Sequence, residues 1–155
     1  MTADDLLQLV SAEPRMTYAA GDTLISVRAP VGDANLAAER CAIGRGVAAV
    51  RYRDSSPSFT YYAMRSLSDE FNVYESEGTL FGAIGGDDFR RLPFVYSSPA
   101  IVKSFEELIG PMDAQIETSE RESRTLAELR DTLLSPLLSG ELTINSVEKV
   151  VGAAL

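Results

Sequence analysis

The sequence predicts an α+β protein, a small mixed head followed by a long C-terminal helix of the coiled-coil type. Three observations carry that expectation. Stretches rich in β-branched residues, bounded by glycine and proline, fall between Gly21 and Arg53. A helical apolar face follows from Phe59 to Tyr74, and apolar residues at helical steps then run from Ile101 to Leu137. Of the 155 residues, 45% are hydrophobic and 24% charged, which suits one globular domain with a helical extension.

Taken in order, residues 2–10 are expected to form a short helix. Thr2 and Asp5 make a capping-box pattern before Leu6, Leu7 and Leu9, and Pro14 ends the segment. Gly21-Asp22 turns the chain into a strand over 23–29, and Pro30, Gly32, Asp33 and Asn35 make a loop. A second strand is expected over 47–53. Its alternation puts Ala48, Val50 and Tyr52 on one face, Arg51 and Arg53 on the other. Ser55-Ser56-Pro57 breaks it, and the Phe59–Tyr74 helix comes next. A glycine-rich loop over 75–86, a helical turn over 87–91 and a closing strand over 92–96 complete the head, assigned to residues 1–97.

The long helix is assigned to 98–140. Ser98 is placed to cap it, with Pro99 at the first position, where a missing N–H costs nothing. Gly140 supplies the stop. Forty-odd residues of helix reach about 60 Å, too long to lie wholly on one small head. Gly110-Pro111 is expected to kink or interrupt it. Glu117 with Arg121, and Glu120 with Arg124, are favourable four-apart pairs. The apolar face of Phe105, Leu108, Met112, Ile116, Leu126, Leu129, Leu133 and Leu137 calls for a partner helix and marks the dimerisation residues. Two ordinary helices folded back across Gly110-Pro111 are the alternative. The tail, 141–155, carries Ile144, Val147, Val150 and Val151, which suit packing along a partner.

Absences narrow the chemistry. Without histidine the chain lacks the commonest general base, the usual catalytic triads and nearly every zinc site. Cys41 is the sole cysteine, so no internal disulfide forms, a reducing cytosol fits, and the thiol is expected to be buried and inert. Residues 1–5 are acidic and lack the apolar stretch of a secretory signal, and no apolar run reaches membrane-span length. The expected location is therefore cytoplasmic, with no membrane partner and no cofactor. Adjacent Asp87 and Asp88 are expected to cap a helical turn rather than bind a nuclease metal.

The net charge of −9 argues against simple electrostatic attraction to a nucleic acid. Its distribution softens the argument. From Arg28 to Arg91 eight arginines face nine acids, whereas from Lys103 onward five basic residues face ten acids. An arginine-rich head can still present a local positive face.

Four stretches resemble one family. Gly21-Asp22-Thr23-Leu24-Ile25-Ser26-Val27-Arg28-Ala29-Pro30-Val31-Gly32 looks like the "G-D-x-L-x-S-x-R-A-P-x-G" hairpin of target-recognition domains in type I restriction-modification specificity subunits. Cys41-Ala42-Ile43-Gly44-Arg45-Gly46 matches its "C-x-I-G-R-G" strand entry, and Gly78-Thr79-Leu80-Phe81-Gly82-Ala83-Ile84 resembles its "G-T-x-F-x-x-I" turn. Leu126 through Leu142 is similar to the end of the spacer helix, "L-x-x-L-R-D-x-L-L…L-L-S-G-E-L".

The resemblance implies a non-catalytic subunit that reads a split site on double-stranded DNA and docks methylation and restriction subunits. Its helices pair antiparallel, here with a second copy or a second half-subunit. No Asn-Pro-Pro-Tyr-type methyltransferase motif and no P-loop is present. The sequence departs from the family in having one head and one helix, with a head that looks short before Gly21. An assembly remnant that keeps the helix but has lost DNA binding is the rival reading.

Recognition loops vary with the DNA read, so DNA-binding candidates are ranked by chemistry. Arg28 and Arg45 sit beside glycine and proline turns, placed to fork onto phosphate or guanine, or else to pair with Asp22 or Asp33. Arg51 and Arg53 either track a DNA backbone or line a solvated strand edge. Thr79, with Ser76 and the loop amides, suits a phosphate, unless the loop only tucks Phe81 and Ile84 into the core. Tyr61 and Tyr62 can stack on a base, with core packing the stronger expectation for Tyr62.

Overall fold

A computed structural model describes residues 7–10, 17–52, 55–76, 82–94 and 97–142. The architecture is α+β, with the long C-terminal helix that the apolar periodicity predicts. Among the described residues six strands precede four helices: β1 Leu7–Val10, β2 Thr17–Tyr18, β3 Thr23–Ser26, β4 Ala34–Leu36, β5 Cys41–Ala42, β6 Val47–Tyr52, then α1 Pro57–Arg65, α2 Ser68–Ser76, α3 Gly86–Arg91 and α4 Pro99–Leu138. Four strands form one antiparallel sheet in the order β1-β6-β3-β4, and β2 pairs with β5 in a separate ribbon.

The strand β6 organises the sheet. Ala48, Ala49, Val50 and Tyr52 are all buried, so both of its faces are covered and it is central rather than an edge. Its backbone groups must be paired on both sides. On one side lies β3, with Thr23 opposite Val50 and Ile25 opposite Ala48. On the other lies β1, with Leu7 opposite Tyr52 and Leu9 opposite Val50. That second pairing overturns the expectation of a helix over 2–10, at least for residues 7–10. Leu7 and Leu9 fit a two-residue period as well as a helical one, and the unsatisfied edge of β6 decides between them.

The Phe59–Tyr74 periodicity resolves into two helices. The break falls at Ser66-Leu67, where Leu67 N–H bonds back to Met64 O at 3.1 Å. Buried Thr60, Met64 and Phe71 turn these helices onto the sheet. Ile25, Val50, Tyr52, Met64, Leu67, Phe71, Ile84, Phe89 and Val102 form one continuous core. The expected closing strand is absent over Leu92–Phe94, because Pro93 cannot donate to a ladder; Leu92 and Phe94 pack as core side chains instead.

Helix α4 runs without a break in its assignment through Gly110-Pro111. Ser98 Oγ lies 3.5 Å from Ile101 N and Ser98 O accepts from Val102 N, so the helix starts at Pro99 as its cap pattern implies. After its last turn Gly140 takes φ +76°, a left-handed conformation that glycine adopts without steric cost.

The chain divides into two compact units, Met1–Asp113 and Ala114–Leu155. The first unit includes the opening turns of α4, which side-chain contacts tie to the head. Val102 is buried, Phe105 packs edge-on against Phe59 and Tyr62, and Glu106 accepts the α1 amides of Ser58 and Phe59 at 3.3 and 3.1 Å. Glu106 thereby caps a helix whose own N-cap, Ser56, makes no side-chain bond. In the second unit the four-apart pairs form as expected, Arg121 to Glu117 at 2.6 Å and Arg124 to Glu120 at 3.6 Å.

Candidate nucleic-acid interface

Three of the signature stretches meet at one place in the head. The β3–β4 loop, residues 27–33, is laced to the β5–β6 turn by Val27 N–H to Gly46 O at 2.9 Å. The same loop holds the later part of the glycine-rich loop. Ala29 N–H reaches Gly82 O at 3.0 Å, Ile84 N–H reaches Val27 O at 3.1 Å, and Arg28 bridges Ala83. Such backbone lacing fixes loops that carry no regular structure of their own.

Gly32 fixes the loop from inside. Its φ is +92°, and a Cβ there would lie 2.6 Å from the Phe71 side chain. Gly32 N–H bonds to Ser26 O and Ser26 N–H to Asp33 O, both at 2.9 Å, so the turn is closed on itself. Only glycine combines that dihedral with that approach.

On this scaffold Arg28 and Arg45 are exposed. The Arg28 side chain passes Gly46, whose position for a Cβ lies 3.8 Å from Arg28 Cδ. Among the described residues neither guanidinium has an ion-pair partner. Of the two candidate carboxylates, Asp33 forms no ion pair among the described residues and Asp22 is engaged elsewhere.

Asp22 is 2% exposed and pairs with Arg51, whose Nη2 lies 2.6 Å from Asp22 Oδ2; Asp22 Oδ2 also accepts Ala19 N–H at 2.9 Å. The bond to Asp22 raises the Arg51 pKa still further, with a smaller opposing contribution from burial. Arg51 therefore pairs with a buried carboxylate and lies on a central strand rather than a solvated edge. Arg53, Thr79 and Phe81 lie outside the described residues, as does the side chain of Ser76 and that of Cys41.

The remaining candidates separate cleanly. Tyr62 donates its hydroxyl to Asp113 Oδ1 at 3.1 Å and meets Phe105 edge-on, which is packing. That hydrogen bond, together with burial, raises the Tyr62 pKa. Asp87 and Asp88 open α3 and pair with Arg90 and Arg91 at 3.0 and 3.6 Å. No group of three metal-binding side chains occurs among the described residues. Of the helix residues, Phe105 is committed to the head's aromatic cluster, whereas Leu108, Met112, Ile116, Leu126, Leu129, Leu133 and Leu137 are exposed. Val102 and Glu106 were missed by periodicity alone, although both fall on the helical face that carries Phe105 and Ile109.

Comparison with known proteins bears on what such a head belongs to. The MjaX type I restriction enzyme specificity subunit of Methanocaldococcus jannaschii is 27% identical over 127 residues, covering 81% of this chain and 30% of its own length. The fold is similar to that of the S subunit of a type I restriction-modification system from M. genitalium. The TM-score is 0.65 at 18% identity, over 90% of this chain and 45% of that one. The HsdS subunit of Thermoanaerobacter tengcongensis gives a TM-score of 0.50 at 28% identity, over 84% of this chain and 32% of that one. The chain resembles type I specificity subunits in both sequence and fold. It spans under a third of the curated relative's length. No family model matches it. Among the described residues, no helix is long and apolar enough to cross a membrane.

Proposed function

We propose that this chain is a DNA-recognition subunit, or half-subunit, of a type I restriction-modification system. It reads sequence with its head and performs no chemistry of its own. One observation carries the reading: three family-like signatures converge on a laced backbone that presents Arg28 and Arg45 without carboxylate partners among the described residues. A guanidinium so placed forks onto a phosphate or onto guanine O6 and N7. Methyl transfer and cleavage would reside in methylation and restriction subunits docked on the scaffold, and the setting is the cytoplasm.

The apolar face of α4 gives the means of assembly. Leu108, Met112, Ile116, Leu126, Leu129, Leu133 and Leu137 supply a seam for a second copy or a second half-subunit. Two heads then read the two halves of a split site. The rival reading, an assembly remnant, draws on the net charge of −9. Arg28 and Arg45, on two loops laced together and without an ion-pair partner among the described residues, weigh against it, since a head that had lost its ligand has no need to keep them free.

Duplex binding by the full chain, measured across a salt series, tests the proposal. Log affinity should fall linearly with log salt, and Arg28→Ala and Arg45→Ala should each flatten the slope by about one. Binding that is absent at all salt concentrations, or that both substitutions leave untouched, counts against it.

A further inference from the structure

A second polar feature lies at the C-terminal end of the loop that begins with Arg28. A cleft of about 400 Å³ opens there, lined by Gly32, Asp33, Ala34, Tyr61, Arg65 and Ser68. It joins the β3–β4 loop to the end of α1. Both walls are held in place before any ligand arrives. Asp33 follows Gly32, whose backbone packs so near Phe71 that a Cβ would not fit, and its carbonyl accepts from Ser26 N at 2.9 Å. Arg65 holds its guanidinium over the Tyr61 ring, 5.6 Å from the centroid. Tyr61 in turn meets Tyr62 edge-on at 5.1 Å, and Tyr62 is anchored to Asp113.

The two charged groups do not neutralise each other. Asp33 and Arg65 line one cleft, both are exposed, and neither forms an ion pair among the described residues. The cleft therefore offers a planar fork of donors beside an acceptor-only carboxylate. A phosphate is disfavoured there, because Asp33 repels anions. An apolar ligand leaves both charges unsatisfied. The complementary surface is neutral, with two adjacent acceptors beside one donor.

The major-groove edge of a G·C pair has that pattern: guanine N7 and O6 accept, and cytosine N4 donates. An A·T pair separates its two acceptors, adenine N7 and thymine O4, by the adenine amino group, so the Arg65 fork finds no adjacent pair. We propose that the Asp33–Arg65 cleft is a subsite that reads one G·C pair, Arg65 on guanine and Asp33 on cytosine. This rests on the DNA-recognition reading above and names one of its specificity-determining sites. The Tyr61 ring serves as the support that keeps the guanidinium plane in place.

The experiment is selection of bound duplexes from a random pool by the full chain and by Asp33→Ala, Arg65→Ala and Arg65→Lys variants, each checked for an unchanged melting temperature. The wild type should enrich a motif containing a G·C position at which Arg65→Ala and Asp33→Ala both relax the preference by about 10- to 100-fold, all other positions holding. Arg65→Lys should relax the same position while keeping overall affinity, because it keeps the charge and loses the fork. A wild-type motif that the variants leave intact overturns the subsite and leaves the DNA reader standing, as does a uniform loss of affinity with no relaxed position. Failure of the wild type to enrich any motif or to bind with salt dependence overturns both.

Discussion

Between Thr23 and Leu92 the described large apolar side chains other than Val73 are buried or partly buried, with Ile25, Val50 and Phe71 at or below 1% exposure. Between Ala114 and Leu138 they turn outward: Ile116, Leu126 and Leu129 are each more than half exposed, and Leu138 is 80% exposed. The first region completes its burial within one chain. The second carries its apolar residues at helical spacing and exposed. If α4 pairs as proposed above, stability in the first is a property of the fold and in the second a property of concentration and partners.

The head's dependence on close internal packing is sharpest at Gly32. Alanine there places a Cβ 2.6 Å from Phe71 and forces φ +92° on an L residue. The backbone of Gly32 and the Phe71 ring both belong to the packed core, so neither yields easily. Gly32→Ala should cost the head at least about 3 kcal/mol, read by denaturant unfolding. A loss under about 1 kcal/mol would mean that the loop is free to move, and the pre-placed Asp33 would lose its support.

The opposite response is expected of the helix. Leu126→Glu with Leu133→Glu should raise the dissociation constant of self-association at least about 100-fold by light scattering, since each charge would enter an apolar seam. The head's melting temperature, taken at low concentration, should stay where it is. A wild-type chain that remains monomeric at high concentration would remove the basis of this contrast.

How much of each region could be read in advance follows from the range of the interactions involved. Helix α4, its cap at Ser98 and its stop at Gly140 are local features, settled by residues a few positions apart. The core strands β3 and β6 declared themselves through β-branched alternation between turn residues. Strand β1 did not, because Leu7 and Leu9 satisfy either period and the deciding partner is β6, some forty residues away. The role of Arg51 was hidden for the same reason: its carboxylate, Asp22, lies 29 positions earlier on a neighbouring stretch. Arg65 shows the reverse. Its four-residue spacing from Tyr61 on a helix is a local signal for stacking, and only the approach of the β3–β4 loop gives that signal a use.

The Asp22–Arg51 pair tests how far the head's polar contacts matter beside its apolar ones. Asp22 is buried and serves two donors, while the Arg51 side chain is 39% exposed, so solvent screens part of the attraction. Asp22→Ala should destabilise the head by about 2 kcal/mol, less than breaking a fully buried pair. Asp22→Asn keeps an acceptor for Ala19 N–H and should cost about half as much. An Asp22→Ala variant as stable as the wild type would mean that Arg51 is satisfied by water and is free for another role.

The smallest effect is expected where α4 enters the head. Tyr62 donates to Asp113, and this bond keeps the phenol protonated to a higher pH than in the unfolded chain. A raised pKa in the folded state means that the contribution is complete below the unfolded value of about 10 and is lost as pH rises through the folded value. Tyr62→Phe removes the donor and leaves the ring against Phe105, so at neutral pH it should cost no more than about 1 kcal/mol. The difference between wild type and Tyr62→Phe should then shrink as pH rises above about 10 and change little between pH 6 and 9. A difference that grows in alkali would show that Asp113 does not accept from Tyr62, and that Val102, Phe105 and Glu106 hold the first turns of α4 to the head without it.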